Sequence, residues 1–539
     1  MIEITFTFLF FLIVLYGNGL IFSFYFNKGV YIKENIIFHC ILGLIITGFL
    51  AQILSFFFPL NTILLFLNFI IVFIFIYKKI LFRDKLILKV SLKNILFLFV
   101  FFLSIVKIYG SGFSDDLNHY HGSFIGNTDN KKIIIGMNFL HNHFGFNSLW
   151  LILNSYFNFD QIYLQQIHIF NSLIFFLVCT FLINEIINYK EKKRIDIYIL
   201  WCSVAIIFLF LKFTRLKEFG IDRGAVLVFI FLISYTIKYF SNENKFIFIS
   251  SLICLFLTLV KIFYIFSFVI PTLAVINSKN LNFFHSRYFL IISFLFFLSL
   301  FKSLLISGCI IYPFEFTCIK SLPWYDAISV NNLILKIEAS AKNFNEYTGI
   351  LHMKEYIKNF NWFQTWFNRN AEELLNITLT SILIVLLTKL FIKNNKNKKL
   401  QIKRGKIETI ILILFLANLL FFLKSPVIRY HQTLFILLAF NISLLIIKPK
   451  IFNFNLFLIF FVISLIFNFS KNINRIKNEN FINDPYKHIK EINWYHKPQE
   501  KYLGDFKYYI GWIDSHPSTH RPLKGLKHKK IFFTDILYK

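Results

Sequence analysis

The chain has 539 residues, of which 57% are hydrophobic, 75 are phenylalanine and only 16% are charged, and its mean hydropathy is +0.63. A soluble chain of this length divides into several domains and carries more charge, so the composition excludes an ordinary soluble enzyme. The formal charge of +29 does not indicate nucleic acid, because the basic residues gather in short loops between apolar runs, where a positive-inside bias places them.

Apolar runs of the length that crosses a hydrocarbon core of about 30 Å recur along the chain. They predict spans at 4–26, 37–57, 60–78, 94–110, 161–187, 196–213, 224–240, 246–261, 262–277, 288–307, 377–393, 407–424, 430–447 and 453–470. The fold class expected is therefore all-α, a polytopic transmembrane helical bundle of about fourteen spans. A β-barrel would show short alternating segments, and these are absent. The first run, FTFLFFLIVLYGNGLIFSFYF, lacks a basic leader and a small-residue cleavage site, so it reads as a retained helix.

The basic loops NKGVYIKEN (27–35), KKILFRDKLILKVSLK (78–93), YKEKKRID (189–196), KNNKNKKLQIKRGK (393–406) and KPK (448–450) fall on one side of this count. The positive-inside rule makes that side cytoplasmic. The decisive place is 246–277, an apolar stretch broken only by Lys261. One long helix there would send 393–406 outside, whereas a hairpin turning at Lys261 keeps every basic loop inside. The organisation expected is N-terminal transmembrane helices (1–110), an external loop with interfacial helices (111–160), a transmembrane core (161–307), an external loop (308–376), C-terminal transmembrane helices (377–470) and a small external tail (471–539). Both termini then lie on the non-cytoplasmic face.

The residues able to do chemistry gather on that face. Asp115 and Asp116, in SGFSDDLNHYHG, open the first large loop at the membrane boundary. A low-dielectric boundary raises a carboxylate pKa and makes it a better base, although Ser-Asp-Asp also suits a helix cap. His119 and His121 are two apart and have no cysteine nearby, which argues against zinc and for a polar pocket. A Mg²⁺ or Mn²⁺ ion shared with Asp116 stays open, since such ions prefer oxygen ligands; no other cofactor is expected. The following KKIIIGMNFLHNHFGFNSLWLILNSYFNF is interrupted and amphipathic, with Trp150 and Tyr156 suited to an interfacial helix.

Arg215, Lys217, Arg223, Lys261, Lys302 and Arg429 stand at the outer ends of spans, where a cation is a site candidate by default. Arg429, followed by Tyr430 in SPVIRYH, suits bidentate phosphate binding, and Lys261 is second. Glu218 and Asp222 add a second acidic pair on the same face. Cys309 and Cys318, in GCIIYPFEFTC, are spaced to close a small disulfide loop in an oxidising compartment, while the other four cysteines read as buried apolar residues.

These pieces together resemble the GT-C glycosyltransferases. More narrowly, DLNHYH, LHNHFGFNSLW, RLKEFGIDRGAVL, LVKI, KSLLISGCIIYPFEFTCIKSLPWY and SPVIRY, spread over 112–432, resemble an uncharacterised group of bacterial polytopic proteins associated with surface-polysaccharide synthesis. In that group an acid stands four residues before a Tyr-His pair, and here that position is Asp116. The resemblance implies a bacterial inner-membrane enzyme that takes a sugar from a polyprenyl-phosphate donor and gives it to a glycan or lipid acceptor. It assigns Asp116 as the base and Arg429 and Lys261 as the phosphate clamp; the residue types and placement add Asp115 beside the base and Arg215, Glu218, Asp222, His119, His121 and Tyr430 as candidates around the substrate. The chain lacks the clear acidic ligand set of metal-dependent members. A polymerase or ligase of lipid-linked glycans, driven by arginines on a diphosphate carrier, is the alternative. A transporter or flippase would predict internal repeats and mid-span charges, and neither is evident.

Overall fold

The structure, a computed structural model, describes residues 2–26, 36–79, 92–109, 116, 120–159, 168–192, 197–216, 219–241, 243–278, 281–344, 349–393, 405–446, 451–478, 498–511, 516–519, 522–531 and 533–539. The helices in chain order are α1 (Ile2–Phe26), α2 (Ile36–Leu54), α3 (Thr62–Lys79), α4 (Leu92–Tyr109), α5 (Gly122–Asn130), α6 (Leu149–Tyr156), α7 (Phe170–Lys192), α8 (Ile197–Lys212) and α9 (Ile221–Tyr239). They continue with α10 (Asn244–Val260), α11 (Val269–Ser278), α12 (Arg287–Ser307), α13 (Ala327–Ala341), α14 (Gly349–Ile357), α15 (Phe363–Leu390), α16 (Gly405–Phe422), α17 (Gln432–Ile446) and α18 (Phe454–Asn478). Every predicted span overlaps one of these helices.

Six of them (α1, α2, α7, α12, α15 and α18) are long and apolar enough to cross a membrane among the described residues, against the fourteen expected. For three of the others length is the physical difference. At 16 and 17 residues, α8 and α10 fall short of the about 20 residues a perpendicular crossing needs, and α11 has only ten.

Burial sorts the helices into a centre and a periphery. Ile197–Phe210 of α8 and Gly224–Ile237 of α9 are buried on every face, the mark of helices enclosed by others. The outer helices turn apolar residues outward. On α12, Leu290, Phe294, Phe297 and Phe301 form an exposed stripe at helical spacing, the reverse of a soluble protein's pattern and suited to hydrocarbon. Between α1 and α2 the backbones touch: a Cβ on Gly19 would overlap the His39 carbonyl, and one on Gly43 the Leu15 carbonyl. Small residues at a helix crossing permit this approach in a bilayer, where packing rather than hydrophobic exclusion drives association.

The chain reverses at Lys261, as the charge pattern requires. The α10 helix ends at Val260, Lys261 is extended (φ −155°, ψ 120°), and a 3-10 helix, Ile262–Phe268, leads back into α11. The Cys254 thiol meets the Ser267 carbonyl at 3.2 Å, so positions on either side of Lys261 face each other across a hairpin.

One expectation is corrected and one is extended. The segment after the acids is not an exposed amphipathic shelf: every residue of α6 is buried, Trp150 included. Trp150 packs on Gly224, where a Cβ would overlap its indole, so the large ring is used for interior packing rather than for anchoring at a headgroup layer. The tail also adds strands to the all-α plan. After the two-residue pair β1 (Ile392–Lys393) and β2 (Ile451–Phe452), β3 (Gln499–Leu503), β4 (Phe506–Ile510) and β5 (Ser518–Thr519) form one sheet. Strands β6 (Lys527–Ile531) and β7 (Thr534–Tyr538) form a hairpin.

This tail is seated on the loop that follows the acids. Asn127 accepts from the Ser518 amide at 2.8 Å, Thr519 donates to the Leu140 carbonyl at 2.8 Å, and Ile135 and Ile536 form a bridge. Cys309 and Cys318 form a disulfide at the foot of the 308–326 segment.

The contact between α1 and α2 yields the first prediction. Gly43→Val should lower the thermal unfolding midpoint in detergent, reflecting a loss of about 2 kcal/mol or more from overpacking, with Gly43→Ala intermediate. An unchanged midpoint for both would contradict this interface.

Candidate functional site

The candidate site lies where the ends of α9, α10 and α16 meet. Asp222 stands in the first turn of α9, where the helix dipole favours a carboxylate. Lys261 is held at the break after α10, so its ammonium projects from a helix end. Arg429 belongs to a short 3-10 turn, Ile428–Tyr430, between α16 and α17. The three converge. Lys261 Nζ donates to Asp222 Oδ1, and Arg429 Nε lies 3.2 Å from Asp222 Oδ2.

Side-chain exposures of 24% for Asp222 and 22% for Lys261 place this ion group between the interior and the solvent, while Arg429 is 47% exposed. Burial opposes ionisation of Asp222, but the Lys261 ammonium and the Arg429 guanidinium outweigh it and hold the carboxyl below its usual range.

Each member is fixed by its surroundings. The Gly220 carbonyl, just before α9, accepts from Asn171 of α7 at 3.1 Å. Ser148, at the start of α6, donates to the Val260 carbonyl at 3.0 Å and so ties the acid-bearing loop to the Lys261 break. The Arg429 turn is pinned twice: Trp366 Nε1 donates to the Pro426 carbonyl at 2.7 Å, and His431 Nε2 donates to the Ser425 carbonyl at 2.9 Å. The second bond fixes the His431 tautomer.

His121 lies beside this group, just before α5. It is 3% exposed, and neither ring nitrogen has a hydrogen-bond partner among the described residues. Burial pushes its pKa down to about 4 against the pull of Asp116 and Asp222, with His143 and Lys261 reinforcing the fall. Tyr120 stacks on His143, with ring centroids 4.7 Å apart, and His143 on His141 at 5.1 Å. A buried imidazole with two unsatisfied nitrogens costs free energy unless a partner supplies the missing bond.

The sequence candidates therefore divide. Asp222, Lys261 and Arg429 form the ion group, and Asp116, half-buried, is an electrostatic neighbour of His121. Tyr430 shares the Arg429 turn. Arg215, whose Nε is buried and unbonded, makes no ion pair with this group among the described residues. Asp115, His119 and Glu218 lie outside the described residues. Among those residues no three His, Cys, Asp or Glu side chains gather to hold a metal ion.

Sequence reasoning missed a second set of cations. Lys107 donates to the Phe213 carbonyl, Arg475 to the Thr214 carbonyl at 2.8 Å, and Asn468 to the Phe210 carbonyl at 2.6 Å. Arg223, one of the predicted cations, lies over the Phe213 ring at 4.8 Å. These groups satisfy the carbonyls left over at the end of α8, and cations suit that negative helix end. A Lys near the end of one predicted span (Lys107) and an Arg a few residues past the last span (Arg475) carried the sequence signal. The two lie on helices distant in the chain, so nothing local announced the pairing.

A family model described as a domain of unknown function, DUF8201, matches residues 1–436. The chain belongs to this family. The matched region contains Asp116, His121, Asp222, Lys261 and Arg429, so the whole ion group falls within the DUF8201 domain, whereas α18 and the tail follow it. No curated protein and no solved structure matches the chain.

The histidine carries a pH prediction. A folded pKa of about 4, below the ordinary 6.5, means that the folded state binds its proton less readily than the unfolded chain. Stability is complete above about pH 6.5 and falls as pH drops toward 4, by roughly 3 kcal/mol from this group. Unfolding midpoints between pH 7 and 4 should drop steeply for the wild type and less steeply for His121→Gln. Parallel curves would contradict the assignment.

Proposed function

We propose that the protein is a GT-C-type inverting glycosyltransferase. It moves a sugar from a polyprenyl-phosphate donor to a hydroxyl of a cell-envelope glycan or lipid on the non-cytoplasmic face of a bacterial inner membrane. The observation that carries the reading is the convergence of Lys261 and Arg429 on Asp222, beside His121 and Asp116, at one end of an apolar helical bundle. In this reading the fourteen helical segments all pass through the membrane, both termini lie on the non-cytoplasmic side, and nucleic acid plays no part.

The chemistry follows from the placement. Asp116 accepts the proton of the incoming hydroxyl, whose oxygen attacks the anomeric carbon and inverts it. The bond from that carbon to the phosphate oxygen breaks, and its electrons leave with the lipid phosphate. Lys261 and Arg429 stabilise the charge that develops there, the electrostatic contribution that usually dominates such transfers. Asp222 positions the two cations at one point, where a phosphate oxygen can meet both. His121 offers the acceptor a hydrogen-bonding partner that the protein leaves unmatched.

Sugar transfer in proteoliposomes, with a panel of polyprenyl-phosphate sugars, tests the reading. Asp116→Asn should slow turnover by about 10²–10⁴-fold while leaving donor binding intact. Arg429→Ala should weaken donor binding and turnover together. Transfer that is indifferent to Asp116→Asn would contradict the base assignment and favour a ligase of lipid-linked glycans.

A further inference from the structure

The tail's β6–β7 hairpin carries a surface that the catalytic reading does not use. Lys524, Lys527, Lys529 and Lys530 are exposed, and none has a carboxylate partner among the described residues. The acid opposite Lys530 in the ladder is Asp535, which is already engaged by His528 at 3.1 Å and Lys131 at 3.4 Å. At the hairpin's turn Ile531 is 43% exposed and Phe533 is 82% exposed. Phe533 also adopts φ +62°, a conformation unfavourable for a bulky side chain, and here it presents the ring outward. An apolar tip flanked by lysines is the composition of elements that lie in a lipid interface.

Its position fits that composition. Ile135 donates to the Asp535 carbonyl at 3.0 Å, and Leu537 donates to the Ile135 carbonyl at 2.9 Å, so β7 is seated on the 133–136 segment. Two residues earlier, Ile133 donates to the Ser55 carbonyl at 2.9 Å, at the end of the apolar helix α2. The next exposed residues there are Phe57 and Phe58, at 66% and 51%. Two residues of extended chain thus connect the hairpin to the end of a membrane-length helix with bare aromatic rings, the level at which headgroups lie.

We propose that the β6–β7 hairpin docks on the anionic lipid headgroups of the adjacent leaflet, with the side chains of Ile531 and Phe533 at the acyl boundary and the four lysines on the headgroup phosphates. Docking fastens the tail over the loop that carries His121. It is independent of the sugar-transfer reading. Each lysine near a charged surface shifts the docked-to-free ratio by about fivefold.

The test is a nitroxide label on Phe533→Cys in the full chain, since the other described cysteines are buried or disulfide-bonded. The protein is placed in nanodiscs of phosphatidylcholine, with or without phosphatidylglycerol. With the anionic lipid the label should become accessible to oxygen and protected from a water-soluble nickel complex. A label on Lys501→Cys, on the separate β3–β4 sheet, should stay in water in both. Protection at 533 should be lost in high salt, which screens surface charge without any substitution, and in a variant with all four lysines changed to Gln. A label that remains in water with phosphatidylglycerol overturns the proposal. So does protection that is equal in both lipids and insensitive to salt.

Discussion

A single carboxylate between two cations holds the site end of this bundle together. Asp222 begins α9, Lys261 ends α10, and Arg429 lies on the turn before α17, so one ion group ties three helix ends that share no local sequence. Such a group is stable only where its geometry is held, because partly buried charges lose hydration that mutual attraction must restore. The supporting bonds supply that geometry: Ser148 on the Val260 carbonyl, Trp366 on the Pro426 carbonyl and Asn171 on the Gly220 carbonyl. The external segments predicted from the sequence thus brace the cations, and the Arg429 turn depends on a tryptophan from the 308–376 region.

A second group of cations has a structural role near the same place. Lys107, Arg475 and Asn468 are occupied by the carbonyls that end α8. Helix ends within a low-dielectric bundle cannot turn to bulk water, and buried cations and amides are the economical partners for their carbonyls. Among the described cations, Lys107 and Arg475 cap carbonyls, Lys261 and Arg429 share a carboxylate, and Lys302 donates to the Ser55 hydroxyl.

The sequence made some of this legible. The hairpin at Lys261 followed from keeping the basic loops on one side, and the Cys254–Ser267 contact is its physical expression. Asp222, Lys261 and Arg429 were each recognisable as charges at the ends of apolar runs, but their meeting was not, because pairing across a bundle leaves no trace in local periodicity. The segment around Trp150 misled for a related reason. An aromatic, interrupted helix reads the same whether it lies on an interface or is enclosed, and only Gly224, one turn into a distant helix, decides that it is enclosed. Composition marks an apolar helix without fixing its length, and among the described residues six helices meet both conditions. The tail's strands are short and irregularly patterned, and they owe their order to docking on Asn127, Leu140 and Ile135 rather than to alternation of their own.

The most direct measurement is a double-mutant cycle on Asp222→Asn and Arg429→Gln, read from unfolding in detergent. If one carboxylate holds the helix ends together, each single substitution destabilises the protein. The double variant is then little worse than the poorer single, giving a coupling of about 1–3 kcal/mol. Additive losses, with no coupling, would mean that the two side chains do not act on each other and would remove the foundation of the site described.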